Sequence, residues 1–294
     1  MGEQNATFQP NVGSKDKSVG WYDQTFHGIE PAARALLEEY SHITPEEVDQ
    51  YVIAMEDRET TKLLTSQRDK AWDIFPYPCI GQFRFLNLSL SKKPSYERIL
   101  ERLRGGATYL DIGCCIGQDI RKLVHDGAPG GNLHGAELQG GFIGLGYDFF
   151  RDRDTLGATL VQADVFDLGD GSSLSGMVGK ADILHLGMVL HLFGWDKQRE
   201  LLENCVKLLR PASPGPLILG QAVGDVEGGV RPGGHIFCHN VETFNKMWSE
   251  ISERSGLKFE CRATLDEGLG IAESRRGWDG VTRRRLSFEV ERVG

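Results

Sequence analysis

The sequence lacks a long apolar run and an excess of positive charge, and each absence excludes a class of protein. No run of about 18 apolar residues occurs, which excludes a membrane-spanning helix. The first residues, MGEQNATFQPNVGSKDKS, contain no apolar signal core. The chain has 33 basic against 42 acidic residues, a formal charge of −9, and so shows no electrostatic footprint for nucleic acid. We expect a cytoplasmic protein with no nucleic-acid partner and no membrane span.

Cysteine pairs and zinc-type spacings are also missing. The six cysteines form no C-x-x-C pair and are not spaced with histidines as zinc ligands are. We therefore predict no metal site and free, mostly buried thiols in a reducing compartment. One alternative concerns Cys115, because a thiol near a helix N-terminus can have a lowered pKa and act as a nucleophile.

The stretch YLDIGCCIG, residues 109–117, organises the chain. An apolar run ends in Asp111. A glycine loop follows, from Gly113 to Gly117, and apolar residues then recur at helical spacing in QDIRKLV. This pattern predicts a strand, a tight loop and a helix, the arrangement that binds nucleotide-type ligands at the carboxyl edge of an open α/β sheet. The dinucleotide fingerprint is incomplete, since Cys115 and Gln118 occupy its second and third glycine positions, and a dehydrogenase is disfavoured.

The loop instead resembles the first motif of class I S-adenosylmethionine-dependent methyltransferases, carried here by Asp111, Gly113 and Gly117. An acidic residue at this place suits a ligand with an ammonium and a sulfonium group. The departure is Cys115, where the motif usually has a third glycine. The resemblance implies that S-adenosyl-L-methionine is the cofactor and that this loop binds its methionine end.

Two further strand ends agree with that resemblance. LHGAEL ends at Glu137, about 20 residues beyond the glycine loop, which is the spacing of an acid that holds ribose hydroxyls, with Leu138 beside it. A surface Glu that caps the next helix is the alternative. In the family, an acid after the third strand accepts a hydrogen bond from the adenine amino group and the next backbone N–H reaches the ring; Asp164 and Val165 match these places.

The segment ADILHLGMVLHLFGWDKQRELLENCVKLLRP resembles the corresponding part of small-molecule O-methyltransferases. His191 falls on the general base of that family, although Leu192 and Phe193 follow where Asp and Trp are frequent. His185 is the rival candidate. A histidine on an apolar strand is more often a hydrogen-bonded core residue, so we rank His185 second.

The N-terminal region is predicted to be a helical lobe that faces the substrate. Helical spacing predicts one long helix from Thr44 to about Asp69, before the prolines of FPYPC. Aromatic and basic residues on either side of it either contact the substrate or pack the lobe. The candidate substrate residues are Trp21, Tyr22, Phe75, Tyr77 and Arg84.

From Ala107 onward strands and helices alternate, which predicts an α/β, doubly wound, mainly parallel sheet with helices on both faces. The resemblance to class I methyltransferases implies that this Rossmann-like sheet has seven strands, one of them antiparallel. We divide the chain into a mobile tail (1–20), an N-terminal helical cap (21–106) and a methyltransferase domain (107–294). The stretch from Gly224 to Gly234 is predicted to be a mobile loop. We place Arg275, Arg276 and Arg283 to Arg285 on a solvated face, with contact between one of them and an acidic substrate as the alternative.

The run FPYPCIGQFRFLNLSL, together with the histidine-bearing segment, resembles a narrower family, the fungal methyltransferases of polyketide and meroterpenoid biosynthesis. Several of these form methyl esters. The resemblance implies O-methylation of a carboxylate on a hydrophobic small molecule. Methylation of a hydroxyl or a carbon, and a catalytically silent cofactor-binding partner subunit, stay open as alternatives, as does a homodimer. Nucleic-acid methylation is disfavoured, because the chain contains no Asn-Pro-Pro-aromatic sequence.

Overall fold

The structure is a computed structural model that describes residues 13–53, 66–211, 215–231, 234–266 and 282–294. Its strands are β1 (Tyr109–Ile112), β2 (Leu133–Glu137), β3 (Thr159–Gln162), β4 (Ile183–Gly187), β5 (Leu217–Asp225), β6 (Gly229–Val230), β7 (Phe237–Cys238), β8 (Phe259–Asp266) and β9 (Arg283–Arg292). Its α-helices are α1 (Pro31–Ala35), α2 (Val48–Ile53), α3 (Gln67–Ile74), α4 (Pro78–Gly81), α5 (Tyr96–Arg104), α6 (Gln118–His125), α7 (Gly140–Phe150), α8 (Trp195–Leu208) and α9 (Val241–Ser255).

Seven of the strands form one sheet in the order β3-β2-β1-β4-β5-β9-β8. The pairs β1/β4, β2/β3 and β4/β5 are parallel, whereas β9 runs antiparallel to both β5 and β8. Strands β4 and β5 are almost continuously buried, as expected for parallel strands covered on both faces. The predicted fold class is confirmed, including the single antiparallel strand in this sheet.

Local sequence explains the helices. Helix α5 buries Tyr96, Ile99, Leu100 and Leu103 on one face and ends before Gly105, its C-cap. Helix α9 begins with a capping box in which the Asn240 side chain accepts the Thr243 N–H and the Thr243 hydroxyl accepts the Asn240 N–H. No helix within the described ranges is both long enough and apolar enough to cross a membrane.

The prediction of one long helix from Thr44 to about Asp69 is wrong at its C-terminal end. Ser66 has extended backbone angles, φ −60° and ψ 153°, and its side chain accepts the Asp69 N–H, so it caps a new helix, α3. Residues 54–65 lie outside the described residues. The serine cap is a local signal that interrupts helical spacing.

Two predictions about the C-terminal third also need correction. The predicted loop from Gly224 to Gly234 contains the end of β5 and strand β6, which pairs with β7. Arg283 does not lie on a solvated face, because it is 8% exposed and its Nη1 is 2.9 Å from Asp225 Oδ2. Arg275 and Arg276 lie outside the described residues.

The contacts divide the chain into two compact units. The C-terminal unit comprises the described residues of 108–113 and 164–294, and the N-terminal unit comprises the described residues of 13–107 together with Cys114–Ala163. The domain boundaries expected from the sequence stay a prediction.

Candidate active site

In the C-terminal unit, the turn after β1 depends on a glycine. Gly113 has a φ of +72°. A Cβ built at this position would lie 2.4 Å from Val189 Cγ2, in the segment that follows β4. Any other residue at position 113 would therefore be strained in its backbone and would collide with the neighbouring segment. The sequence motif thus keeps the loop thin where the end of β1 meets the segment after β4.

Asp111 and His185 form a buried pair inside the same unit. They are register partners on β1 and β4, and Asp111 Oδ1 lies 3.0 Å from His185 Nδ1. Asp111 is 2% and His185 is 1% exposed. The carboxylate fixes the orientation of the imidazole ring, which stacks on Tyr109. This is the hydrogen-bonded core position that ranked His185 second.

His191 lies in a 3-10 turn, Leu190–Leu192, shortly after β4, and is half-buried. The turn follows Met188, which has a φ of +63°, an uncommon conformation for a residue other than glycine. The Met188 N–H donates to the Gln221 carbonyl at 2.8 Å, which fixes the chain direction there. The structure therefore places His191, unlike His185, outside the strand.

The stretch after β3 that carries Asp164 and Val165 belongs to the same unit. Asp164 is exposed, and its Oδ1 accepts the Phe166 N–H at 2.9 Å. The Val165 carbonyl accepts a hydrogen bond from Asn204 Nδ2 on α8 at 3.1 Å. Phe166 meets Phe193 edge-on, with ring centroids 5.3 Å apart. Helix α8 and the turn after β4 thus hold this stretch in a defined conformation.

In the N-terminal unit, Glu137 ties the glycine loop to the end of β2. Its Oε2 accepts the Cys115 N–H and its Oε1 accepts the Gln139 N–H, both at 2.9 Å. Each carboxylate oxygen has more than one lone pair and can accept a further hydrogen bond. Beside it, the Leu138 side chain is 53% exposed, which is high for a large apolar residue.

Cys115 adopts a backbone conformation that usually belongs to glycine, with a φ of +54°. Burial raises the pKa of its thiol well above the ordinary value, and burial raises the pKa of Cys79 to about 11. The lowered thiol pKa considered for Cys115 is therefore wrong, because burial disfavours the charged thiolate. Gly117 follows with a φ of +71° and is the N-cap of α6.

The predicted substrate residues separate into two groups within the N-terminal unit. Trp21 and Tyr22 are buried, and the Tyr22 hydroxyl donates to Asp69, so these aromatics pack the lobe. Phe75 and Tyr77 are half-buried with ring centroids 4.3 Å apart. Burial, and then the nearby charge of Glu137, raise the pKa of Tyr77. Tyr77 thus lies within electrostatic range of a predicted cofactor residue.

Arg84 is half-buried in a 3-10 turn, Arg84–Leu86. Its positive charge opposes the rise in the pKa of Cys79 that burial causes, so the guanidinium lies near that thiol. The substrate region of the sequence thus contributes a cation as well as aromatic rings.

The sequence reasoning missed a buried ion pair next to the glycine loop, formed by Arg121 on α6 and Asp152 after α7. Arg121 lies four residues after Gly117, but its acidic partner is 31 residues away, so only the three-dimensional structure joins them. In the described residues, no three His, Cys, Asp or Glu side chains come together as a set of metal ligands.

The comparisons with known proteins agree with the methyltransferase resemblance of the loop at residues 111–117. A family model described as the meroterpenoid methyltransferase N-terminal domain matches residues 21–86. O-methyltransferase atr3 of Stereocaulon alpinum is 40% identical over 97% of this chain and 79% of its own. O-methyltransferase phiE of a fungal species is 38% identical over 94% of both chains. The Asnovolin E/Chermesin D methyltransferase nvfJ of Aspergillus novofumigatus is 34% identical over 82% of this chain and 86% of its own.

Among solved structures, the [4+2]-cyclase SpnF is 13% identical with a TM-score of 0.49, covering 68% of this chain and 83% of its own.

By its sequence relatives, the chain belongs to the class of S-adenosylmethionine-dependent methyltransferases. It belongs to the family of fungal O-methyltransferases of secondary metabolism that includes the meroterpenoid methyltransferases.

Proposed function

We propose that the enzyme transfers a methyl group from S-adenosyl-L-methionine to the carboxylate of a hydrophobic fungal metabolite and so forms a methyl ester. The observation that carries this proposal is the setting of His191. The turn that contains His191 is followed by Phe193 and Trp195, and each of these packs edge-on against another ring. The ring centroids are 5.3 Å apart in the Phe166–Phe193 pair and 5.0 Å apart in the Trp195–Phe237 pair. Apolar surroundings favour a reaction in which a carboxylate and a sulfonium lose their opposite charges.

We assign the cofactor residues as follows. Glu137 would accept hydrogen bonds from the ribose hydroxyls, through the carboxylate lone pairs that are not used by the Cys115 and Gln139 N–H groups. The exposed Leu138 supplies apolar surface beside it. Asp164 would accept a hydrogen bond from the adenine amino group, and the Val165 N–H would donate one to a ring nitrogen. Asp111, Gly113, Cys115 and Gly117 form the loop for the methionine end.

The bound cofactor would supply an electrophilic methyl group, and the protein would align the acceptor and exclude water. A carboxylate is already ionised at neutral pH, so it needs no general base. In this scheme His191 orients the acceptor through a hydrogen bond. Phe75 and Tyr77 contact its apolar part, and the Arg84 guanidinium attracts its carboxylate.

Methylation of a hydroxyl is the second candidate, and the position of His191 outside the strand supports it. A hydroxyl must lose its proton, and His191 would then act as general base, which contributes about 10²–10⁴-fold to the rate. Ester formation is the first choice because the aromatic rings beside the His191 turn favour a reaction that removes charge. The charge of Arg84, which acts on Cys79 in the region that we assign to the acceptor, adds support.

The acceptor class can be tested with methyl-labelled S-adenosylmethionine and an extract of the producing organism, separated into acidic and neutral compounds. We expect the purified enzyme to label products made from the acidic fraction. Labelling that requires only the neutral fraction would contradict a carboxylate acceptor and support the hydroxyl.

A further inference from the structure

Arg121, the fourth residue of α6, is a buried cation beside the glycine loop. Its side chain is 0% exposed. Nε donates to Asp152 Oδ2 at 2.7 Å and Nη2 donates to Asp152 Oδ1 at 2.9 Å, which is the bidentate geometry of a strong pair. Asp152 is itself 3% exposed. A charge pair removed from water in this way is costly unless all of its hydrogen bonds are made.

The third nitrogen of the guanidinium, Nη1, is directed at the glycine loop. Nη1 donates to the Ile116 carbonyl at 2.5 Å and lies 3.3 Å from the Gly117 carbonyl. These two carbonyls directly precede α6, so the side chain reaches back from its own helix to the loop that leads into it. The guanidinium thus fixes the end of the loop opposite to the Cys115 N–H, which Glu137 holds.

The close approach of Arg121 also explains why residue 117 is glycine. A Cβ at Gly117 would lie 2.6 Å from Arg121 Nη1, and Gly117 has a φ of +71°. The guanidinium therefore occupies the space that any side chain at position 117 would need. The glycine of the motif and the arginine four residues later are two parts of one packing arrangement.

The N-terminal region completes the arrangement. The Tyr40 hydroxyl donates to Asp152 Oδ2 at 2.7 Å. Phe150 covers the guanidinium, whose central carbon is 4.6 Å from the ring centroid. Tyr40 lies in the stretch 21–86 that matches the meroterpenoid methyltransferase N-terminal domain. Tyr40, a residue of that stretch, therefore donates to the Asp152 carboxylate, and this carboxylate in turn accepts two hydrogen bonds from Arg121.

We propose that Arg121 is a positioning residue that sets the conformation of the glycine loop for S-adenosylmethionine, with Asp152 and Tyr40 as its supports. This inference rests on the proposed role of the loop in cofactor binding. Arg121 is not a catalytic residue, because it acts through the Ile116 and Gly117 carbonyls. Its replacement should therefore weaken cofactor binding more than it slows turnover at saturating cofactor.

The test compares Arg121→Lys with Arg283→Lys in calorimetric titrations with S-adenosylhomocysteine, alongside thermal unfolding. Lysine keeps the charge but has no planar fork. Arg283 is a matched control, since it forms a buried pair with Asp225 in the C-terminal unit. We expect Arg121→Lys to raise the Kd at least about tenfold. Arg283→Lys should lower the unfolding temperature and leave the Kd within about twofold.

Equal Kd values for wild type and Arg121→Lys would overturn the proposal and leave Arg121 a purely structural residue. If Arg121→Lys does not fold, Asp152→Asn decides in the same way, with a raised Kd supporting the proposal and an unchanged Kd overturning it. Tyr40→Phe, which removes one hydroxyl, should give a smaller rise than either. Failure of the wild type to bind S-adenosylhomocysteine would instead refute the proposed function itself.

Discussion

Glu137 holds two backbone N–H groups with one carboxylate, and we assign ribose binding to the same group. Glu137→Ala should therefore weaken the binding of S-adenosylhomocysteine. A hydrogen bond to a charged group contributes about 1.5–3 kcal/mol, which corresponds to about a 10- to 150-fold rise in the Kd. Calorimetric titration measures this directly.

Two variants control that measurement. Glu137→Gln keeps the size of the side chain and one acceptor oxygen, so its Kd should lie between those of the wild type and Glu137→Ala. Glu97→Ala, at an exposed position on α5, should bind as the wild type does. An unchanged Kd for Glu137→Ala would refute the ribose assignment.

Cys115 gives a second prediction, which concerns stability. Glycine is ordinarily about 0.5–1 kcal/mol less stabilising than alanine inside regular structure. At a φ of +54° the order should reverse, because the left-handed region costs a residue with a Cβ about 1–2 kcal/mol. Urea unfolding of Cys115→Gly and Cys115→Ala should show the glycine variant to be the more stable. A more stable alanine variant would mean that the loop has a different backbone conformation in solution.

At the scale of elements, the turn after β4 separates two histidines that the sequence offered as alternatives. His191→Ala should lower kcat at least about tenfold, since an acceptor without its hydrogen bond is poorly aligned, while the Kd for cofactor changes little. His191→Gln should recover part of the activity because it restores a neutral hydrogen-bonding group. Steady-state kinetics from pH 6 to 9, with His27→Ala as an exposed control, tests this. Full activity of His191→Ala across that range would exclude His191 from the reaction.

The start of α9 should make the stability of the protein depend on pH. His239, which is 2% exposed, has Nδ1 3.1 Å from Thr243 Oγ1 and packs against Phe237, and burial lowers its pKa from 6.5 to about 4. The unfolded chain therefore binds a proton more readily than the folded one between these values. Stability is fully present above pH 6.5 and falls as the pH drops towards 4, by up to about 3 kcal/mol.

His239→Gln should flatten this dependence, because glutamine does not titrate. The free energy of unfolding, measured in urea between pH 4 and 7, should fall less steeply for the variant than for the wild type and for His27→Gln. Parallel curves for His239→Gln and the wild type would contradict the assignment.

For the whole molecule, the alternation of strands and helices from Ala107 onward was sufficient to predict a mainly parallel sheet, whereas the seven strands and the antiparallel strand followed from the resemblance to the methyltransferase family. Leu286, Phe288 and Val290, which alternate along the last strand, are all buried. Local signals were insufficient where long-range pairing decides. Arg283 is buried by its pairing with Asp225, 58 residues earlier in the chain, and Arg121 by Asp152.

The same distinction holds for the candidate site. The glycine positions and Glu137 are readable because their spacing follows from the strand–loop–helix unit. The fixation of the loop by Arg121 was not readable, since a basic residue on a helix usually faces solvent. The separate environments of His185 and His191 also required the structure, because register with Asp111 on β1 determines which histidine is held inside the sheet.

The central claim is that the enzyme makes a methyl ester from a carboxylate, and the chemistry of the labelled product tests it most directly. The purified enzyme is incubated with methyl-labelled S-adenosylmethionine and an extract of the producing organism, and the isolated product is treated with mild alkali. We predict that the label is released as methanol. Label that stays on the product after alkali would contradict the claim and show that the methyl group is bound as an ether or to carbon.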